Sequence, residues 1–127
     1  MARRSTERSS DEAAVVAAAL DYFEGWFEGD ATRMDRGLHP GLAKRSLRQS
    51  DPDSPELRSL TKERMVELTA AGGGESPDGG LSIDVEVVDL YGNIASVVVR
   101  SAVYREYLHL VRTDEGWKIV NVLWHFT

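Results

Sequence analysis

Partway along this chain the spacing of apolar residues changes from the helical period to strict alternation, and that switch constrains the fold more than any other feature. In the first part Val15, Ala19, Tyr22 and Trp26 recur about one helical turn apart, as do Val16, Leu20, Phe23 and Phe27. Beyond Gly80, Ile83, Val85 and Val87 alternate with Asp84 and Glu86, the pattern of a strand with one wet face. Helices first and strands afterwards predict an α+β domain with its helices gathered on one face of a sheet. At 127 residues there is length for one such core and not for two.

Local signals set the expected boundaries. A capping serine and acidic residues at Ser9-Ser10-Asp11-Glu12 open the first helix, which should run to Glu28 and stop at Gly29. Residues 1–9, with Arg3, Arg4 and Arg8 against Glu7, are expected to be a disordered basic tail, and 10–127 a single domain. Asp30 caps a short second helix over Ala31–Arg36, ended by Gly37, and His39-Pro40 forbids its continuation. Leu42–Arg48 reads as a weak edge strand and Asp51–Pro55 as a loop. Thr61 caps a third helix, Lys62–Ala70. The glycine-rich stretch that follows, Gly72–Gly80, lacks the Gly-Lys-Ser/Thr of a phosphate loop and is expected to be mobile, as a lid over a pocket. Gly92-Asn93 suits a two-residue hairpin turn, and Ile94–Ala102, Arg105–Arg112 and Trp117–Phe126 complete an antiparallel meander.

Composition removes several function classes. With no cysteine there are no disulfides, thiolate nucleophiles or iron–sulfur ligation. The net charge is −6, and the basic start leaves the remainder at −8, which argues against a nucleic-acid partner. No apolar run approaches the ~18 residues of a membrane span, and no apolar segment follows the basic start as an export signal would require; a cytoplasmic protein is expected. Histidines at 39, 109 and 125 show no metal-ligand spacing, and no Gly-x-Ser-x-Gly elbow is present. Neither a metal nor a cofactor is expected.

Pairing the last two strands by hand nominates a site. A three-residue loop, Asp114–Gly116, would pair Thr113 with Trp117, Val111 with Ile119, His109 with Asn121 and Tyr107 with Leu123. One face then carries Tyr107, His109, Val111, Trp117, Ile119, Asn121 and Leu123, a mixture of aromatics and convergent polar groups such as lines small-molecule pockets. The other carries Leu108, Leu110, Val120, Val122 and Trp124 with Glu106 toward its end, and suits either a dimer seam or helix packing. If it meets the helices, the pocket and dimer faces exchange. His109 is the expected general acid or base with Asn121 as its hydrogen-bonding partner. Tyr107, Trp117, Tyr22, Trp26 and His39 are the expected ligand contacts, the helix aromatics serving as core and pocket wall together. Asp89 and Tyr91 are expected in solvent beside their turn.

The succession Trp26-Phe27-Glu28-Gly29-Asp30, Leu38-His39-Pro40, a third helix, then Tyr107-Leu108-His109-Leu110 and Gly116-Trp117-Lys118-Ile119-Val120-Asn121 resembles the nuclear transport factor 2-like superfamily. Within it the chain is most similar to the group described as putative lumazine-binding, over about Glu12 to Phe126. The resemblance implies a cone-shaped α+β fold in which three helices pack on a curved, mainly antiparallel sheet and enclose a pocket, with homodimers through the sheet. The superfamily holds isomerases, dehydratases, polyketide cyclases, epoxide hydrolases and non-catalytic binders. The expected function is therefore a small-molecule pocket taking a partly apolar organic ligand, with proton-transfer chemistry (isomerisation, dehydration or cyclisation) at His109. The alternative is a binding or dimerisation module without catalysis.

Overall fold

The structure is a computed structural model that describes residues 5–48, 53, 55–74 and 82–127. Three helices and six strands follow one another as α1 (Ser5–Glu28), α2 (Ala31–Gly37), β1 (Leu38–Arg48), β2 (Glu56–Leu60), α3 (Lys62–Ala70), β3 (Ile83–Tyr91), β4 (Ile94–Ser101), β5 (Tyr104–Thr113) and β6 (Gly116–Phe126). The strands form one open mixed sheet in the order β2-β1-β6-β5-β4-β3. The expected meander is β3 to β6, every neighbouring pair antiparallel.

Two features of the sheet differ from the sequence reading. The strand expected to be a weak edge, Leu42–Arg48, belongs to the longer β1, which lies inside the sheet between β6, its parallel neighbour, and β2. The edge role falls to β2, whose residues Glu56–Ser59 are all exposed and carry no alternation to announce a strand. Helix α1 begins at Ser5, not at Ser9, so Asp11 sits in its second turn, facing inward and only 7% exposed, rather than in the cap.

Capping signals fall where the sequence put them. The Asp30 side chain accepts from the Arg33 amide at 3.1 Å, and Thr61 Oγ1 from the Arg64 amide at 3.2 Å, each satisfying an amide the first helical turn leaves open. Arg33 and Arg36 then clamp α2 to α1 through the Asp21 carboxylate, at 3.1 and 2.9 Å. The core is built from one side of α1 (Val15, Ala19, Tyr22, Phe23, Phe27), Met34, Met65 and the inward side chains of the strands (Leu42, Val97, Val99, Leu108, Leu110, Ile119, Val122). The helices therefore cover one face of the sheet and leave the other bare. The face of Leu108, Leu110 and Val122 is the covered one, so the expected pocket and dimer faces exchange.

Residues Gly72–Gly74 turn back onto α1: the Gly74 amide donates to the Trp26 carbonyl at 3.0 Å, and any Cβ on Gly73 or Gly74 would collide with Trp26. Glycine is required there because the chain must touch that tryptophan. The rest of the glycine-rich stretch, 75–80, lies outside the described residues, as do 51, 52 and 54 of the expected loop. Among the described residues no helix is long and apolar enough to cross a membrane.

Candidate functional site

The covered face contains a polar chain where the hydrophobic pattern calls for apolar residues. Alternation along β1 points Leu42, Lys44 and Ser46 inward, and along β5 it points Glu106, Leu108 and Leu110 inward. Lys44 is 8% exposed and Glu106 3%. They are joined through α1: Lys44 Nζ donates to the Tyr22 hydroxyl at 2.6 Å, and that hydroxyl donates to Glu106 Oε1 at 2.7 Å. The amine also faces three rings, 5.0 Å from the centre of Tyr22, 5.3 Å from Trp124 and 5.9 Å from Trp26. Trp26 Nε1 in turn donates to the Tyr104 hydroxyl at 3.3 Å.

These groups line a cavity of about 230 Å³ walled by Phe23, Trp26, Leu60, Met65, Leu68, Tyr104, Trp124 and Phe126. The rings of Tyr104, Trp124 and Phe126 meet one another at 4.9 to 5.5 Å between centres, so one wall is an aromatic cluster. It is a mainly apolar chamber with a concentrated polar end, the usual build of a small-molecule site.

Burial governs the ionisation of that end. Desolvation pushes the Lys44 ammonium below its ordinary value of 10.5, against the attraction of Glu106. Desolvation likewise pushes the Glu106 carboxyl above its ordinary 4.5, against Lys44 and the Tyr22 hydrogen bond. Tyr22, buried beside the Glu106 charge, is held protonated well above 10.0. Both members of the acid–base pair lean toward their neutral forms. A depressed lysine contributes stability that is fully present above pH 10.5 and is lost as pH falls through its folded value. The stability of the protein relative to Lys44→Met is therefore expected to climb with pH on the approach to 10.5. Urea denaturation of both proteins from neutral pH upward checks this, and a flat or falling difference would contradict it.

The nominated residues do not form one site. Tyr22 and Trp26 line the interior cavity. Tyr107, His109 and Asn121 lie together on the bare outer face, all exposed, with Asn121 Nδ2 3.4 Å from His109 Nδ1. His109 and Asn121 border an outer groove of about 400 Å³ with Asp89, Tyr91, Ile94 and Ser96. Asp89 and Tyr91 stand in solvent, as expected. Trp117 is elsewhere again: it is buried, and its indole N–H donates to Asp11 Oδ1 at 3.0 Å, tying β6 to the early turns of α1.

The separation of Trp117 and Ile119 from His109 has a definite cause. The turn is a tight two-residue one, Asp114-Glu115, with Thr113 opposite Gly116, and not the three-residue loop expected. Gly116, at φ +105°, still supplies the positive angle. A bulge at Val120 then restores the expected pairing of His109 with Asn121 and Tyr107 with Leu123, but leaves Trp117 and Ile119 on the covered side.

His39 keeps a local role. Its Nδ1 accepts from the Gly41 amide at 2.9 Å, and it lines a polar cleft of about 380 Å³ with Asp35, Arg36, Lys62 and Lys118. Asp35 is paired with Lys62 at 3.3 Å. His125 is exposed, with Nδ1 2.6 Å from the Phe126 carbonyl. Among the described residues no three histidines or carboxylates converge as a metal site would need.

The sequence reading gave no role to Lys44 or Glu106. For Glu106 a signal was available, a charged residue at the inward parity of a strand whose other inward residues, Leu108 and Leu110, are apolar; on β1, where Ser46 also points inward, none marked Lys44.

Comparison with known proteins agrees with this architecture. A nuclear transport factor 2-like protein from Shewanella baltica OS155 superposes with a TM-score of 0.76 at 14% identity, covering 99% of this chain and 98% of that one. One from Silicibacter pomeroyi DSS-3 gives 0.73 at 14% identity, over 98% and 100% of the two chains. A third, from Methylobacillus flagellatus KT, gives 0.72 at 15% identity over 93% of each. All three are described as being of unknown function, and identities this low speak to the fold alone. No curated protein matches the chain. The profile of the family described as putative lumazine-binding matches residues 10–125, nearly the whole sequence, and the chain belongs to that family, with a fold like that of the nuclear transport factor 2-like proteins.

Proposed function

We propose that the protein binds a small, flat, partly apolar organic molecule in its interior cavity, with a carbonyl or acidic oxygen of the ligand held at the Lys44–Tyr22 end. The observation that carries this reading is the Lys44–Tyr22–Glu106 hydrogen-bonded chain at the polar end of an otherwise apolar, aromatic-walled chamber. Rings of Trp26, Tyr104 and Trp124 offer stacking partners, and the lysine amine offers a hydrogen bond. The same chain can move a proton between a ligand and Glu106, which is the requirement for isomerisation, dehydration or cyclisation. Proton transfer is accordingly assigned to Glu106 and Tyr22 in this reading rather than to His109.

The family description makes lumazine the natural first probe. Fluorescence polarisation of lumazine should report binding to the protein, and Lys44→Met should weaken it about two- to tenfold, since a hydrogen bond is worth roughly 0.5–1.5 kcal/mol net. His109→Gln should leave the affinity unchanged. Loss of binding in His109→Gln, with Lys44→Met unaffected, would move the site to the outer groove instead.

The bare face of the sheet supports a second element of the reading, a homodimer. Val88, Tyr91, Ile94, Tyr107 and Leu123 are all at least half exposed there, on β3 to β6. Clustered apolar exposure of this kind marks an association surface, and a twofold axis lets one patch cover its own copy. Sedimentation at micromolar concentration should give a dimer, and Tyr107→Asp with Leu123→Asp a monomer. A monomeric parent protein would overturn the pairing.

A further inference from the structure

The three lysines of the chain differ sharply in what their amines face. Lys62 is paired with Asp35 at 3.3 Å, and Lys118 donates to the Arg36 carbonyl at 2.6 Å, both bordering the polar cleft. Lys44 has no such partner among the described residues. Its amine lies in the interior cavity, hydrogen-bonded to a hydroxyl and surrounded by aromatic rings, with a carboxyl one hydroxyl further on. An amine kept from water and from direct contact with a carboxylate is one that can hold its lone pair free. The hydroxyl beside it can reach any oxygen attached to a carbon bonding that amine.

We propose that Lys44 condenses with an aldehyde or ketone admitted to the cavity, forming an imine, while Tyr22 and Glu106 carry the protons. This rests on the interior-cavity reading above and names the class of ligand, a small aromatic or apolar carbonyl compound. In the neutral pair Nζ attacks the carbonyl carbon, the C–N bond forms, and the π pair moves onto oxygen. That oxygen takes a proton passed from the Glu106 carboxyl through the Tyr22 hydroxyl. The nitrogen, now cationic, returns a proton to Glu106 along the same chain. The carbinolamine hydroxyl next takes that proton and leaves as water, while the nitrogen lone pair forms the C=N bond. The net change is amine, carbonyl and carboxylic acid to iminium, carboxylate and water.

The two other lysines make the test internal. The full chain is incubated with benzaldehyde and sodium cyanoborohydride, which reduces an imine to a stable benzylamine, and peptides carrying Lys44, Lys62 and Lys118 are quantified by mass spectrometry over time. Lumazine binding is measured on the same preparation. General acid–base help is worth ~10²- to 10⁴-fold, so Lys44 should acquire the benzyl group at least ~10² times faster than Lys62 or Lys118. Tyr22→Phe, which keeps the ring and removes the relay, should bring the Lys44 rate down toward the other two. If lumazine binds but Lys44 is labelled no faster than Lys62 and Lys118, the imine chemistry is overturned and the binding site stands. If lumazine fails to bind and Lys44 is also unlabelled, both are overturned. Fast labelling of Lys44 that Tyr22→Phe leaves unchanged would overturn the relay.

Discussion

Glu106→Leu alone is expected to cost about 3–5 kcal/mol of folding stability, and much of that loss should return when Lys44→Met is added. Removing one member of a buried ionisable pair leaves the other inside a low-dielectric core with its desolvation uncompensated. Lys44 is 8% exposed and cannot lift its amine into water without leaving the ring cluster that surrounds its stem and head. Replacing both groups by apolar ones removes the two penalties together, which is why such exchanges are often close to neutral. The double variant still retains the Tyr22 hydroxyl, stripped of its acceptor Glu106 and its donor Lys44. A buried hydroxyl without partners costs roughly 1–3 kcal/mol, so Tyr22→Phe on top of the other two should recover the remainder. Equilibrium urea denaturation of the three variants measures the series. A Glu106→Leu cost near that of a surface ion pair, below about 1 kcal/mol, would mean that the chain is wet and the cavity open at that end.

The order of those costs mirrors what the sequence revealed and what it concealed. Local chemistry was legible: Asp30 and Thr61 announce helix starts by supplying an acceptor at a fixed offset, and Gly92 announces a hairpin because its φ of +57° suits few other residues. The covered stripe of α1 was legible because seven or eight apolar residues repeat on one helical face. The place of β1 was not. Its parallel pairing with β6 links Lys44 to Val122, far along the chain, and has no turn or spacing to betray it. With β1 taken for an edge, Lys44 had no reason to be buried, and Glu106 had no partner to suggest a role. The polar end of the cavity is a tertiary product: one residue from α1, one from β1 and one from β5, brought together by pairings that no local signal announces.

Trp117 and His109, which the sequence reading placed on one face, should behave as opposites. Trp117→Ala is expected to lose about 3–5 kcal/mol, whereas His109→Ala should change the stability of the folded chain by less than about 0.5 kcal/mol. Trp117 is 6% exposed, and truncating it empties a large volume between β6 and α1 while taking the indole donor from Asp11, itself 7% exposed. Trp117→Phe separates the two contributions, since it restores most of the volume and none of the hydrogen bond. It should fall between the other two, at about 1–3 kcal/mol, the worth of the lost hydrogen bond, with the Arg112 guanidinium still 3.7 Å from Asp11. His109 touches Asn121 at 3.4 Å on the open face, and its loss opens no cavity. The distinction depends on a single extra residue, Val120, since the bulge there decides which parity of β6 meets the helices. Deleting Val120 should be milder than Trp117→Ala, because it closes the bulge and keeps both parities. With the short turn kept, Ile119 stays opposite Leu110, Asn121 opposite His109 and Val122 opposite Leu108, so the ladder becomes regular and no residue changes faces. Thermal unfolding of the four variants orders them, and a His109 variant as unstable as Trp117→Ala would place the bare face against something within the same chain.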